Sequence, residues 1–296
     1  MKTYVITGAT GNTGKPITLG LLEKGHKVRI ISRSAEKAKE LTDKGAELFP
    51  GDTCDRELLI NAFTGADAVY AMLPFDAAAP DYTASQVQHA TVIADAIKAT
   101  GVKNLVMLSS VGAHLPEGAG VVQGLQKAEV IFNTIDGLNA LYLRAGYFME
   151  NTLMQAGAIK FMGAMGSPVL GDLKIPMVAT RDIAAAALGY LLDLSFTGKN
   201  VGYVLGQRDV SYNEIAGIYG KVIGKPDLKY YTGTYEEGKQ AMLQMGMGES
   251  VVNKLIEFIR AMNEGHALGD AKRTPANTTP TSIEDFANIF KMIYNM

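Results

Sequence analysis

The sequence contains a single cysteine, Cys54, which predicts neither an internal disulfide nor a cysteine-based metal site. Its four histidines, His26, His89, His114 and His266, are scattered along the chain without HExxH or a similar metal-ligand spacing. We therefore expect no structural or catalytic metal ion.

An excess of charge of one sign is also lacking, because 28 basic and 30 acidic residues leave a formal net charge of −2 without a polybasic run. This balance argues against nucleic acid or an anionic membrane as the main partner. No stretch of about 18 apolar residues could span a bilayer, and the chain enters a strand too early to hold a signal peptide. We expect a cytoplasmic protein whose 296 residues can bury a large core.

Glycines near the N-terminus form the most informative motif in the sequence. A short apolar strand, residues 4–6, runs into Gly8, Gly11 and Gly14, and helical periodicity begins at Ile17. Glycine suits such a turn because the backbone needs positive φ, must approach a pyrophosphate closely, and must let the helix pack tightly on the strand. The free N–H groups at the helix start then hold the anion, so the segment predicts a dinucleotide-binding turn.

Strands and helices alternate after this motif. Strand-like runs occupy residues 28–32, 46–50, 68–73, 104–109 and 138–144, and helical periodicity marks residues 35–41, 56–63 and 85–99. Such alternation predicts a doubly wound, Rossmann-like α/β fold with a parallel sheet covered on both faces. The alternation loosens after residue 150, where helical segments are joined by short strands near residues 168–170, 175–178 and 201–205. We interpret residues 1–150 as the dinucleotide-binding domain and residues 151–296 as a smaller α/β substrate lobe.

The end of the second strand indicates which dinucleotide is bound. It reads Ser32-Arg33-Ser34, without the acidic residue that bonds the ribose 2′-hydroxyl where NAD is preferred. The nearest carboxylate, Glu36, lies inside the following helix. An arginine at this place suits the 2′-phosphate of NADP, so we predict that Arg33 selects NADP(H).

The glycine spacing resembles that of the short-chain dehydrogenase/reductase superfamily, and later segments narrow the resemblance to its NmrA-like family. Residues 143–151, LRAGYFMEN, resemble the family's LRPxFFMEN stretch, with Ala145 in place of the proline. Residues 178–184, 203–216 and 279–287 resemble further family segments, so the resemblance covers nearly the whole chain. It implies a Rossmann-like fold in which strands of the second lobe return to the first sheet.

The resemblance also implies roles for residues at the ends of strands three and four. In short-chain enzymes an aspartate after strand three contacts the adenine amino group, and Asp52 holds that position here. The alternative is that Asp52 or Thr53 caps the helix that follows. The end of strand four, residues 72–74, is expected to face the adenosine ribose.

After strand five the family pattern has a serine and a Tyr-x-x-x-Lys pair. The corresponding residues here are Ser109, Gln123 and Lys127. The resemblance implies that Lys127 holds the nicotinamide ribose, whereas an amide at position 123 cannot supply a proton as an acid. The alternative for Lys127 is an ordinary surface lysine.

Together the glycine turn and the resemblance predict one site with two parts. The predicted catalytic residues are Lys127 and Tyr147. The predicted NADP(H)-binding residues are Gly8, Thr10, Gly11, Asn12, Thr13, Gly14, Arg33, Asp52, Thr53, Met72, Leu73, Pro74, Ser109, Lys127, Tyr147 and Phe148.

Two functions fit these residues. The first is an NAD(P)H-dependent oxidoreductase that transfers hydride from NADPH to an apolar, quinone-like acceptor, similar to the quinone reductases of the NmrA-like family. A quinone suits the missing tyrosine, because the hydroquinone anion can take its proton from water. The second is a cofactor-binding redox sensor without turnover. The sequence does not fix the substrate or the oligomeric state.

Overall fold

The computed structural model describes residues 1–269 and 271–296 and contains twelve strands and eleven α-helices in that described part. Two short 3₁₀ helices, Gly120–Val122 and Met149–Met154, join them. In chain order the elements are β1 (Thr3–Ile6), α1 (Gly14–Glu23), β2 (Lys27–Ser32), α2 (Ala35–Asp43), β3 (Glu47–Pro50), α3 (Arg56–Phe63), β4 (Ala68–Ala71), α4 (Tyr82–Thr100), β5 (Asn104–Ser110), α5 (Gln123–Asn133), β6 (Asn139–Ala145), β7 (Tyr147–Phe148), α6 (Gln155–Met162), β8 (Met165–Ser167), β9 (Ile175–Val178), α7 (Thr180–Asp193), β10 (Lys199–Val204), β11 (Asp209–Val210), α8 (Tyr212–Val222), β12 (Tyr230–Thr232), α9 (Tyr235–Gln244), α10 (Glu249–Asn263) and α11 (Ile283–Asn295).

Seven strands form one parallel sheet in the order β10-β6-β5-β4-β1-β2-β3. The chain starts in the middle, builds outward through β2 and β3, and then crosses to β4 on the other side of β1. This reversal is the topological switch point at which ligands bind in open α/β sheets. The arrangement confirms the predicted doubly wound, Rossmann-like fold.

Successive side chains of the central strands point to opposite faces of the sheet, so each strand contributes apolar residues to the core on both faces. In β1, Tyr4 and Ile6 enter one buried apolar cluster while Val5 enters the other. All four residues of β4 are buried as well. Strands that are buried on both faces have continuous apolar sequences, which is why these strands can be predicted from the sequence.

The second lobe consists of two small sheets and the helices around them. One sheet has the order β11-β9-β7 and the other pairs β12 with β8. The β10 strand instead pairs with β6 and becomes the edge of the large sheet. The prediction of a strand near residues 168–170 is wrong in its position, because β8 ends at Ser167. The next residue, Pro168, has no N–H to donate to a strand ladder.

Side chains cap many of the helices. Asp55 and Asp81 accept bonds from the third helical N–H of α3 and α4. Ser211 and Ser282 form reciprocal capping boxes at the starts of α8 and α11. Among the helices of residues 1–269 and 271–296, none has both the length and the apolar character needed to cross a bilayer.

Candidate cofactor site

The turn between β1 and α1 is shaped by its glycines. Gly8 has φ of +65°, and the N–H of Gly11 donates to the Gly8 carbonyl oxygen at 3.0 Å. A Cβ on Gly14 would collide with that same carbonyl oxygen and with Cα of Ala9, so the start of α1 must be free of a side chain there. The turn therefore places the N-terminus of α1, the positive end of the helix dipole, at the edge of the sheet, where an anion can bind. Within the first turn of α1, the Lys15 N–H donates to the Gly11 carbonyl oxygen at 3.0 Å and Pro16 has no N–H.

Hydrogen bonds lock this turn to the end of β4. The Thr7 hydroxyl donates to the Met72 carbonyl oxygen at 3.2 Å and accepts from the Met72 N–H at 2.8 Å. The Tyr70 hydroxyl donates to the Thr13 hydroxyl at 3.1 Å, and burial raises the pKa of Tyr70, which keeps that donor protonated. Thr13 is buried and serves the turn in this way, while Asn12 beside it is exposed.

A cavity of about 350 Å³ lies at the carboxyl ends of β1 to β4. It brings together eight of the predicted cofactor residues from four separate segments, which are Gly8, Thr10, Gly11, Arg33, Asp52, Thr53, Met72 and Pro74. Sequence reasoning did not select five further residues that line it, which are Ile31, Ser32, Ser34, Lys37 and Gly51. The other predicted residues, Asn12, Thr13, Gly14, Leu73, Ser109, Lys127, Tyr147 and Phe148, are not among its lining residues.

Two cations stand at one side of this cavity. The Arg33 side chain is 77% exposed, and its Nη1 lies 3.6 Å from Oδ2 of Asp52. Lys37 belongs to the first turn of α2, whose N-cap Ser34 accepts from the Lys37 N–H at 3.2 Å. Arg33 precedes the N-cap of α2, so helical spacing does not link it to Lys37, and the cavity is what brings the two cations together.

The loop after β3 holds Asp52 and Thr53 against α4. The Asp52 carboxylate accepts from the Cys54 N–H at 2.9 Å, and the Thr53 hydroxyl lies 2.7 Å from Nδ1 of His89. Asp55 caps α3, so the alternative that Asp52 or Thr53 is the capping side chain is wrong. Both residues are left to line the cavity.

The exits of β5 and β6 lie side by side next to this cavity's strands. The Val111 N–H donates to the Ala145 carbonyl oxygen at 2.9 Å, which joins the loop after β5 to the end of β6. Gly146 follows, and a Cβ there would collide with the Pro176 carbonyl oxygen. The chain then enters β7, which pairs with β9 and carries the predicted pair of aromatic residues.

Tyr147 and Phe148 connect the two lobes. Tyr147 is half-buried and packs against the core of the second lobe, whereas Phe148 packs against the core under β1 and α1. The Tyr212 hydroxyl donates to the Tyr147 hydroxyl at 3.5 Å. Burial raises the pKa of Tyr147 and of Tyr212, so both hydroxyls are protonated at neutral pH.

Ser109 is part of a buried ionic network that the sequence did not reveal. Its hydroxyl donates to Oε1 of Glu129 at 2.5 Å. The same carboxylate accepts two bonds from Arg144, from Nε at 3.1 Å and from Nη2 at 2.7 Å. Arg144 also donates to the Ala113 carbonyl oxygen at 3.4 Å. The network thus connects the end of β5 and the loop after it to α5 and β6.

Gln123 and Lys127 occupy opposite environments on α5. Gln123 is buried, and its Nε2 donates to the Pro116 carbonyl oxygen at 2.7 Å, so the amide holds the loop that precedes the helix. Lys127, one turn later, is exposed. The structure therefore assigns Gln123 a structural contact and leaves the Lys127 ammonium group at the surface of α5.

Comparisons with known proteins extend this description. The chain is 33% identical over 267 residues to an NAD(P)H azoreductase of Xenophilus azovorans, with 89% of this chain and 86% of the relative covered. Its structure matches that of an NADPH-dependent quinone oxidoreductase of Escherichia coli complexed with NADPH at a TM-score of 0.82, with 22% identity and 97% and 99% of the two chains covered. A triphenylmethane reductase of Citrobacter sp. complexed with NADP(H) gives a TM-score of 0.77 at 21% identity, with 97% and 99% covered.

The two structural matches establish the fold, and the azoreductase adds sequence similarity along most of the chain. The family model described as the NmrA-like family matches residues 1–287. The match includes the glycine turn, the cavity at the ends of β1 to β4 and the exits of β5 and β6. The chain therefore belongs to the NmrA-like family.

Proposed function

We propose that this protein is an NADPH-dependent oxidoreductase that reduces a flat apolar acceptor of the quinone type. The observation that carries the proposal is the glycine-lined cavity with Arg33 and Lys37 at one side, in a chain that is 33% identical to an NAD(P)H azoreductase. In the domain assignment that we propose, residues 1–150 bind the cofactor and residues 151–296 supply the substrate lobe. The single free thiol, Cys54, is in keeping with a cytoplasmic location.

The residues of the cavity fit a dinucleotide phosphate. Gly11 lines the cavity without positive φ, and a Cβ there would have the Gly8 carbonyl oxygen as its nearest neighbour, at 3.3 Å. A bare backbone at this point leaves room for a pyrophosphate at the N-terminus of α1, where the helix dipole favours an anion. Arg33 and Lys37 would hold the 2′-phosphate, and Lys127 is our candidate for the nicotinamide ribose. When bound, the cofactor supplies a hydride.

We assign the apolar acceptor to the side of the site formed by the exits of β5 and β6. Val111 is buried and Tyr147 and Phe148 are half-buried. A flat aromatic acceptor would stack on such side chains without needing a charged partner. The net reaction converts NADPH, a proton and a quinone into NADP⁺ and a hydroquinone.

The proton of this reaction does not require an acidic residue at position 123. Gln123 is engaged with the Pro116 carbonyl oxygen, and an amide does not act as an acid at neutral pH. A hydroquinone anion is stabilised by its aromatic ring and can be protonated by water. We assign Tyr147, which is protonated and accepts a hydrogen bond from Tyr212, the role of orienting the acceptor oxygen by a hydrogen bond. The alternative of a sensor without turnover has no separate observation in its favour.

The test is NADPH oxidation, followed by absorbance, with a panel of benzoquinones, naphthoquinones and an azo dye. We expect turnover with at least one flat acceptor. Tyr147→Ala should raise the acceptor KM more than the NADPH KM, whereas Tyr231→Ala, a change at an exposed tyrosine, should alter neither. Absence of turnover with every acceptor, together with tight binding of only one oxidation state of the cofactor, would establish a sensor instead.

A further inference from the structure

Three side chains with different metal-binding atoms converge beside the cofactor cavity. Asp52 and Cys54 lie on the loop after β3, and His89 lies on α4, 35 residues after Cys54. Nδ1 of His89 is 3.1 Å from Sγ of Cys54 and 3.8 Å from Oδ1 of Asp52. The ligand atoms of all three residues lie within 4.8 Å of one another. Histidine spacing along the sequence could not predict this cluster, because α4 brings His89 to the loop only in the folded chain.

The distances suit a small tetrahedral ion. A zinc ion with bonds of about 2.3 Å to sulfur and about 2.0 Å to nitrogen and oxygen holds its ligand atoms roughly 3.3–3.6 Å apart. The Cys54 and His89 atoms are slightly closer than this, and the His89 and Asp52 atoms are slightly farther apart. Side-chain rotations within the cluster would bring the three ligand atoms onto one ion and leave a fourth position for water.

The chemistry of the donors also favours zinc over a hard cation. A thiolate, an imidazole and one carboxylate are ligands of zinc, whereas magnesium and calcium prefer oxygen alone. Burial lowers the pKa of His89, so its imidazole is neutral and available at neutral pH. Burial raises the pKa of Cys54, so the thiol keeps its proton until a metal displaces it.

We propose that Asp52, Cys54 and His89 form a zinc-binding site, and that zinc bound there competes with NADP(H). Asp52 and Thr53 line the cofactor cavity, and the Thr53 hydroxyl contacts the same His89 nitrogen. A metal that takes the Asp52 carboxylate removes it from the adenine contact expected of it, and the bond to His89 draws this part of the cavity wall toward α4. The competition rests on the proposed function, whereas zinc binding does not.

Metal binding is tested on the reduced protein without cofactor. Titration with ZnCl₂ should give one ion per chain, and Cys54→Ser and His89→Gln should each weaken it at least about tenfold. His266→Gln, a change at an exposed histidine outside the cluster, is the matched control. Cobalt(II) added to the unaltered protein should produce a thiolate-to-cobalt charge-transfer band, a readout that needs no variant. Absence of this band, or zinc affinity that survives Cys54→Ser, would overturn the proposal.

Competition is tested separately with NADPH affinity at increasing ZnCl₂. The unaltered protein should lose NADPH affinity as zinc rises, and Cys54→Ser should bind NADPH normally and resist zinc. Zinc binding without any change in NADPH affinity would keep the metal site and reject the competition. If the protein bound no NADP(H) at all, the proposed function would fail while the zinc titration still decided the metal site.

Discussion

Replacing Arg33 by alanine tests how the protein selects its cofactor. Arg33 and Lys37 line the same cavity, and we predict that both contact the 2′-phosphate that distinguishes NADPH from NADH. Arg33→Ala should therefore weaken NADPH binding and leave NADH binding nearly unchanged. Lys37→Ala should act in the same direction.

The expected magnitude follows from the exposure of the arginine. A hydrogen bond to a charged group contributes about 1.5–3 kcal/mol when one partner is removed. Because 77% of the Arg33 side chain is exposed, solvent screens the interaction and the lower end applies. A loss of about 1.4 kcal/mol is tenfold in Kd, so we expect roughly a tenfold weaker NADPH complex. Arg33→Ala also removes the ion pair between Arg33 and Asp52. At 3.6 Å between exposed side chains this pair is weak, so its removal does not change the expected loss of NADPH affinity.

The assay is isothermal titration of NADPH and NADH against each variant at two salt concentrations. An exposed electrostatic contact should lose strength as salt rises, so the difference between the two cofactors should shrink. Lys39→Ala is the control, since Lys39 lies on the same helix but pairs with Asp43 at 2.8 Å. Equal losses for NADPH and NADH, or an equal effect of the control, would refute the assignment of these cations.

Three further predictions concern the glycine turn, the ionic network and the buried histidine. Gly14→Ala should lower the free energy of unfolding by about 1–3 kcal/mol, because its Cβ meets backbone atoms. Gly11→Ala should leave the free energy of unfolding nearly unchanged and weaken nucleotide binding. Denaturant unfolding and nucleotide titration separate the two effects, and equal destabilisation by both variants would contradict this prediction. Glu129→Gln should cost about 1.5–3 kcal/mol in the same unfolding assay because a neutral amide weakens the charge-assisted bonds that Ser109 and Arg144 donate to this carboxylate, and a loss below about 0.5 kcal/mol would disprove that role. Burial lowers the pKa of His89, so as pH falls the unfolded chain takes up a proton near pH 6.5 before the folded chain does, and stability should fall below that pH. Between pH ~7.5 and ~5.5 the Tm of His89→Gln should fall less than that of the unaltered protein. Parallel curves of Tm against pH for the two proteins would exclude this effect.

The cofactor half of the site is predictable because its signals are local. Glycines between a strand and a helix, and an arginine where an acid would favour NAD, occupy short stretches whose conformation is fixed by near neighbours. Eight of the predicted residues consequently meet in one cavity. Lys37 was not predicted as a cofactor residue, because lysine is common in the exposed first turn of a helix. Its position at the cavity is what distinguishes it from other lysines of this kind.

Long-range partners could not be predicted in the same way. The bond from Ser109 to Glu129 spans 20 residues, and the one from Thr53 to His89 spans 36. Nothing in the local sequence around Glu129 marks it as buried, because a glutamate in a helix is normally solvated. The small strands of the second lobe were hard to place for a related reason, since strands of two or three residues carry too little periodicity to set their ends.

The two halves of the site depend on the fold to different extents. Among residues 1–269 and 271–296, those that line the cofactor cavity all fall between positions 8 and 74, at or after the carboxyl ends of β1 to β4. The loop after β5 is instead clamped by the second lobe, because Gly120, with φ of +55°, packs against the backbone of α10 at Lys254 and Phe258. Gly112 in the same loop also lies against Phe258. Changes in α10 would therefore reach the loop after β5, on the proposed acceptor side, without touching the residues that line the cofactor cavity.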